Sequence, residues 1–457
     1  MNKVLAFIKG NLIIVISVVL ILALIPAGYV FSSKWNSKVH TKVKDAYDKE
    51  KRTLTSAGRV NYALPAVLDG EQDLSESRAP NTAVTSFYQQ AKDARVQQVD
   101  DVARRGEEFN KGDHVELVPG LLPKASDFSS RSRLGRAMSE AVVGTLDTPS
   151  VFQRKLQRLN AGSPTDPETL AQILEQVKGQ LEQEFKSAST DGNMTEEQKD
   201  RLEEALTARR LSEYISRAKS LTFFCDTNAF VNGSPTGEVT TFGNDGYSIV
   251  PALNWSPSKI TESVAFTWLW DYWVISDILD AAALANSNAA SGAMSIPEAP
   301  VKRIDYVRIS ALEVKEQAEE PDDGFGGSSN QRDPFPNDDE VAQPTDSITG
   351  RKAAQPSSPF DIRTAVVVAV VSSEDLPKFI DAIGKVNFMT VLDLDLQSVD
   401  IWDELQQGYY YGEDHVVRVS MTIETVWLRS WVAPSMPDPV KQTLGIPVTQ
   451  NMDDPEG

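Results

Sequence analysis

Hydrophobic and polar positions divide this chain into stretches of different texture. Residues 12–31 (LIIVISVVLILALIPAGYVF) carry no charge. At about 1.5 Å per residue such a run crosses the roughly 30 Å hydrocarbon core of a bilayer as one helix. Ser17, Pro26 and Gly28 are tolerated in a spanning helix, and Tyr29 and Trp35 stand where interfacial aromatic residues lie. An export signal has a shorter apolar core and small residues before its cut, whereas a cut after Ala27 would put Ile25 at the third place upstream. The run predicts a retained anchor at 12–31 that follows a short tail at 1–11.

Polar, charged sequence without Gly or Pro continues from Ser33 to Glu50 and predicts a helical stalk, broken near Gly58 and Pro65. Residues 69–80 read as a polar loop. A second helix follows over 81–109, with Val84, Tyr88, Ala91, Val99, Val102 and Phe109 near one face and Arg95 and Gly106 interrupting it. That stripe suits the protein's own core or a partner helix. The stalk is taken as 32–125. Residues 126–220 read as a helical region punctuated by Pro149, Pro164 and Pro167, with Thr195 and Gln198 at capping-box spacing. Leu170, Ile173, Leu174, Val177, Leu181 and Phe185 recur at helical steps and imply a modest core of its own.

At Leu221 the period shortens. LTFFCDTNAFV (221–231), YSIV (247–250) and VKRIDYVRISALEV (301–314) read as strands, and ESVAFTWLWDYWVISDILDAAALAN (262–286) as a helix. Asp271, Asp277 and Asp280 argue against a second span, since each costs about 2.5–3.5 kcal/mol at a bilayer centre. Phe266, Trp268, Trp270, Tyr272 and Trp273 run right round this helix. A helix on one sheet keeps a polar face, so these five form a candidate partner interface, meeting another domain or another chain. Residues 316–361 are acidic and rich in Pro, Gly and Ser, as in a disordered linker.

The stretch 362–433 is the clearest. AVVVAVV (365–371) reads as a central strand. Ser373 can cap a helix carrying Leu376, Phe379, Ile380 and Ile383. In VLDLDLQS (391–398) Leu392, Leu394 and Leu396 face one way and Asp393 and Asp395 the other, as a solvated sheet face or, less simply, a metal site. After the turn at 408–414, Val417, Val419, Met421, Ile423 and Trp427 alternate with polar residues. The fold class expected is α+β: one N-terminal transmembrane helix, a helical stalk and helical region, then two ferredoxin-like α/β sandwich units at 221–315 and 362–433. The first is a degenerate repeat of the second, and 434–457 is a flexible tail.

Charge and chemistry narrow the function. With 45 Lys+Arg against 65 Asp+Glu, the net charge is −20, which repels phosphate backbones and argues against nucleic acid as a partner. One cysteine, Cys225, excludes an intrachain disulfide and reads as a small buried hydrophobe. His40, His114 and His415 show no metal-ligand spacing. G-x-S-x-G, P-loop and H-E-x-x-H patterns are absent from the sequence, so no catalytic, cofactor-binding or metal-binding residue is assigned and the chain is expected not to be an enzyme.

The anchor at 12–31 and the stretch VVVAVVSSEDLPKFIDAIGKVNFMTVLDLDL (366–396) together resemble the bitopic PilO-like and GspM-like alignment-complex proteins of bacterial type IV pilus and type II secretion systems. The aromatic helix and the VKRIDYVRIS strand look like further pieces of that family. The inserted region 81–220 and the acidic linker depart from it. The resemblance implies a single-pass inner-membrane protein dimerising with itself or with other single-pass platform proteins, and it carries no catalytic residues. Lysine counts flanking the span (Lys3 and Lys9 before; Lys34, Lys38, Lys42 and Lys44 after) favour a cytoplasmic head, but long domains translocate regardless. The resemblance favours a cytoplasmic N-terminus and a periplasmic head. The alternative is a membrane-tethered binding or sensing module, holding a small ligand or peptide between the two sandwich units.

Overall fold

The computed structural model describes residues 8–67, 70–123, 128–145, 147–188, 194–231, 247–248, 260–288, 292–310, 312, 314, 349, 351 and 358–448. Almost all of the expected linker, and the chain beyond 448, lie outside them. The chain divides into two compact units, Met1–Arg105 and Gly106–Gly457.

In the first unit, anchor and stalk are one uninterrupted helix, α1 (Leu12–Ala57), 46 residues long with none buried. Among the described residues it is the one helix long and apolar enough to cross a membrane. It ends at Gly58, where the amide bonds back to the Leu54 carbonyl at 2.8 Å. The polar loop expected at 69–80 instead contains a strand: β1 (Val60–Leu64) and β2 (Leu74–Arg78) pair as an antiparallel hairpin. Tyr62 of β1 stacks on Tyr88 of α2 (Thr82–Lys111) with ring centroids 4.9 Å apart. Arg95, which breaks the apolar stripe, donates to the carbonyls of Leu64, Pro65 and Gln72, closing the hairpin's ends. Val84, Tyr88 and Ala91 are half-buried, but Val99 and Val102 are exposed.

The second unit opens with the last turn of α2. Four helices follow, α3 (Phe128–Val143), α4 (Val151–Arg158), α5 (Pro167–Ala188) and α6 (Glu196–Ser220), the first two breaks falling at Pro149 and at Pro164 and Pro167. Ser150 with Gln153 and Thr195 with Gln198 form reciprocal capping boxes. Leu134, Met138, Phe152 and Leu156 from α3 and α4 enter the same core as the sheet, so this region does not keep a core to itself. Residues 221–231 are not a strand. Phe224 makes isolated bridges to Gly162 and Arg303, and the chain turns into the short helix α7 (Asn228–Val231). Phe223 and Phe224 enter different apolar clusters, which fixes this segment as a buried wedge.

One five-stranded antiparallel sheet organises the rest. Its strands are β3 (Tyr247–Ser248), β6 (Val301–Ser310), β7 (Phe360–Ser372), β8 (Met389–Ser398) and β9 (Val416–Leu428), in the order β3-β6-β7-β9-β8. Between β3 and β6 come α8 (Glu262–Ala285) and a hairpin of β4 (Ser287–Asn288) and β5 (Gly292–Ala293). Between β7 and β8 comes α9 (Leu376–Val386), and α10 (Ile401–Gln406) precedes β9. The two expected sandwiches are thereby corrected to one, because strands from both stretches share this sheet. The repeated element is helix–strand–strand: α8–β6–β7, then α9–β8–β9. Ser373 lies in the turn before α9 rather than at its cap, since α9 starts at Leu376 with Pro377 in its first turn. Residues 434–448 are not a loose tail: they form α12 (Asp438–Thr443), after the short α11 (Arg429–Val432), and Met436 and Val440 are fully buried.

Strand β6 shows how sequence sets register. Its apolar residues Val301, Ile304, Val307 and Ile309 are spaced three, three and two, which strict alternation would scatter over both faces. Register shifts at Lys302 and Asp305 absorb the extra residues, and all four side chains reach the helix-covered core. In β7 the residues Asp361, Arg363, Ala365, Val367, Ala369 and Val371 share that face, the first two carrying charge. Arg363 pairs with Asp271 of α8, both nearly fully buried, and its guanidinium lies 5.3 Å from the Trp270 ring centroid. Arg429 clamps Asp361 through two hydrogen bonds of 2.5 and 2.9 Å.

Removing one member of a buried pair leaves the other uncompensated. Asp271→Ala is expected to cost about 3–5 kcal/mol in denaturant unfolding of the head, and Asp271→Leu combined with Arg363→Met to recover part of it.

Candidate functional site

Helix α8 carries the residues that the sequence nominated as a partner surface. The structure places Phe266, Trp268, Trp270 and Trp273 inside the core, at 0, 4, 0 and 2 % exposure, with Tyr272 half-buried. The interface expectation is corrected accordingly. The second surface these rings meet is this chain's own. Trp270 meets Trp427 of β9 edge-on at 6.2 Å, Phe152 of α4 meets Tyr272 at 5.5 Å, and α9 and α3 pack along the helix. Thr261 starts the helix by accepting from the Val264 amide.

Two polar constructions are buried in this unit, the first beside α8 and the second across the sheet from it. In the first, Asn110 in the last turn of α2 is fully enclosed and uses all four of its side-chain hydrogen-bonding positions. Its amide donates to Asn387 Oδ1 and the Val426 carbonyl, each at 2.8 Å. Its oxygen accepts from the Leu428 amide at 2.7 Å and Trp431 Nε1 at 2.8 Å. Asn387 in turn donates to the Asn110 carbonyl and to Asp277. His114 Nε2 lies 3.1 Å from Asp277 Oδ1, and its ring sits among Trp273, Trp427 and Trp431 at centroid distances of 5.4–5.9 Å. The two side chains of this His–Asp pair are 8 and 6 % exposed, and the pair ties the end of α2 to α8.

The second construction lies over the opposite face of the sheet. Arg303 of β6 pairs with Asp305 and Glu404, and Arg418 of β9 bonds the same two carboxylates at 3.0 and 2.7 Å. Tyr411 donates to Glu404 at 3.2 Å, and Arg303 lies 4.1 Å from the Tyr409 ring centroid. Charges alternate and the carboxylates are shared, so the cluster ties β6, β9 and α10 together. Cys225 is buried nearby. Burial, with Asp226 and Asp305 adding to it, pushes its thiol well above the usual range, the opposite of an activated nucleophile.

Sequence reasoning missed Asn110, Asn387 and the Arg303–Arg418 cluster. The one signal for the last was the uneven apolar spacing of VKRIDYVRIS, which demands bulges and lets charged residues be enclosed. Asp393 and Asp395 are exposed on β8, and among the described residues no three His, Cys, Asp or Glu side chains converge as a metal site would require. Exposed apolar residues of the head concentrate in one stretch: Phe388, Leu394, Leu396, Ile401 and Trp402. Comparison of the chain with protein-family models, curated proteins and solved structures returns no match.

Asn110→Ala would strand the Leu428 amide and the Val426 carbonyl, at about 1–3 kcal/mol each, so a loss of about 2–6 kcal/mol is expected on denaturant unfolding. A pH effect follows from Lys155 and Lys302, whose burial holds both below the ordinary lysine value of 10.5 despite their partners Asp280 and Asp414. The folded chain releases these protons before the unfolded chain does, so their contribution to stability rises as pH approaches 10.5 from below. Cys225 is held protonated above the ordinary 9.0, and Tyr272, Tyr409 and Tyr411 above the ordinary 10.0, chiefly by burial, and these groups oppose the rise from there upward. The unfolding midpoint is expected to climb on the alkaline side, turn over between about pH 9 and 10 as these groups take over, and climb less in Lys155→Met.

Proposed function

We propose that this chain is a non-catalytic structural subunit of a membrane-anchored pilus or secretion platform. In this reading α1 holds it in the bacterial inner membrane as a single-pass protein. The N-terminus is cytoplasmic, the head is periplasmic, and the chain works as a homo- or heterodimer with other single-pass platform proteins.

The observation that carries the reading is α1 itself. It passes from an uncharged run into a charged, solvent-facing helix without a break, and none of its 46 residues is buried. A long helix in water draws most of its stability from packing. Beyond the membrane run, Trp35, Val39, Val43, Tyr47 and Leu54 are all exposed, and a partner helix would cover them. The head adds support. Read from β7, the order strand–helix–strand–strand, with α8 and β6 completing it, is that of a ferredoxin-like sandwich begun at a different strand. We therefore read a single ferredoxin-like unit in place of two. The buried ionisable groups around α8 and β6 are committed to one another, as suits a scaffold. The alternative of a ligand held between two sandwiches draws no support from a shared sheet.

The test uses the full chain in its membrane. It should resist carbonate extraction, and Glu374→Cys, at an exposed position, should react with an impermeant maleimide added from the periplasmic side. Crosslinking through Val43→Cys should recover a second copy or another single-pass protein. Extraction into the aqueous phase, labelling from the cytoplasmic side alone, or a chain that crosslinks to nothing would overturn the reading.

A further inference from the structure

Strand β8 is the outermost strand of the sheet. β9 pairs with one of its edges, and among the described residues nothing pairs with the other. All residues from Asp393 to Ser398 are exposed, so this half of the strand projects clear of neighbouring layers. Natural sheets guard such edges with charged side chains, proline, bulges or short strands. This ten-residue edge carries a bulge at Leu392 and two carboxylates, guards that act against an acidic strand such as its own copy but not against a basic one.

The bulge sorts the exposed side chains by face. Leu394 and Leu396 stand opposite Met421 and Val419, which are fully buried in the helix-covered core. The two leucines therefore lie on that face, 36 and 52 % exposed, and the strand leads on to Ile401 and Trp402, 51 and 70 % exposed. Asp393 and Asp395 stand opposite Thr422 and Ser420 on the other face. The edge is amphipathic, apolar on one side and acidic on the other, with backbone hydrogen-bonding groups between, of which the Leu394 amide donates to Asp393 Oδ1 at 2.9 Å and must be released for a strand to pair there.

Charge decides what fits there. Consider a second copy pairing antiparallel with its helix layer on the same side. A register centred on Leu394 sets Asp393 against Asp395, and one centred on Asp395 sets that carboxylate against its own twin; one centred on Leu396 sets Asp395 against Gln397 and avoids the clash, but overlaps only residues 394–398 of the two strands. Like charges directly opposite one another destabilise a strand pair. A strand with aliphatic residues on one face and lysine or arginine on the other meets leucine with apolar surface and aspartate with positive charge. Opposite Gln397, whose neighbour in β9 is Arg418, a polar residue fits. The chain's net charge of −20 attracts such a partner from a distance.

We propose that β8 is a strand-acceptor edge, taking an extended segment of another protein in which aliphatic and basic residues alternate. Main-chain hydrogen bonds supply the affinity, and the two faces supply the choice of partner. This deepens the structural-subunit reading and rests on it.

The test is titration of the full chain in zwitterionic detergent with a synthetic ten-residue peptide of alternating valine and lysine, carbonyl-labelled with carbon-13 for isotope-edited infrared spectroscopy. Binding should be saturable and should move the labelled amide I band into the β-sheet range. N-methylation of alternate valines should weaken it at least tenfold, as should the pair Leu394→Ser and Leu396→Ser. The pair Asp393→Lys and Asp395→Lys should lose the lysine peptide and take up its glutamate counterpart. These positions are exposed, so unchanged unfolding midpoints serve as the folding control. Equal binding of the N-methylated peptide would reduce the edge to a charged patch and overturn the proposal. So would indifference to the charge reversal, or a disulfide-linked homodimer through Leu394→Cys whose formation the lysine peptide, added before oxidation, fails to prevent. Each of these failures leaves anchorage and α1 crosslinking untouched, so the broader reading stands or falls separately.

Discussion

A helix with almost no polar face must be covered on every side, and this constraint shapes the head. α8 is enclosed by strand β6 and the Trp427 ring of β9, by α9 along its length, and by α3 and α4. Each neighbour brings large apolar side chains to it. The helices at 128–143 and 151–158 then have a physical reason: without α3 and α4, the flank around Tyr272 would face water.

Enclosure raises a second problem, because α8 also carries Asp271 and Asp277. A carboxylate in such surroundings is tolerated only when paired and hydrogen-bonded. Arg363 answers the first; His114 and Asn387 answer the second. The same logic recurs across the sheet, where two arginines share two carboxylates. Polar groups in this core act as fasteners between elements distant in sequence, and they specify which elements meet.

How much of this could be read beforehand depends on the range of the interaction. The uncharged run at 12–31, the Thr195–Gln198 box, the valine strand and the Leu376–Phe379–Ile383 spacing are local signals, and each matched the element that forms there. The aromatic helix was located correctly, yet its surroundings were misjudged. The sequence shows that Phe266 to Trp273 encircle the helix, but not that α3, α4 and β9 come round to meet them. Asn110 left no trace, since an asparagine in a charged helix looks like any solvated residue until Val426 and Leu428 arrive. Treating 221–315 and 362–433 as separate units failed because strand partnership is non-local: β6 pairs with β7 across an intervening stretch whose composition gives no hint of it.

The junction at Asn110 also bears on how the protein is made. Its oxygen is satisfied by groups 318 and 321 positions later in the chain. The end of α2 therefore leaves the ribosome long before the atoms it needs exist. Until β9 and α11 are synthesised, α8 has no lid and its tryptophans lie open to other nascent chains. Contacts so widely separated also slow closure. A protein of this design is most exposed to proteases in the interval between the synthesis of α8 and the completion of the chain, and the late-arriving C-terminal strand is what ends that interval.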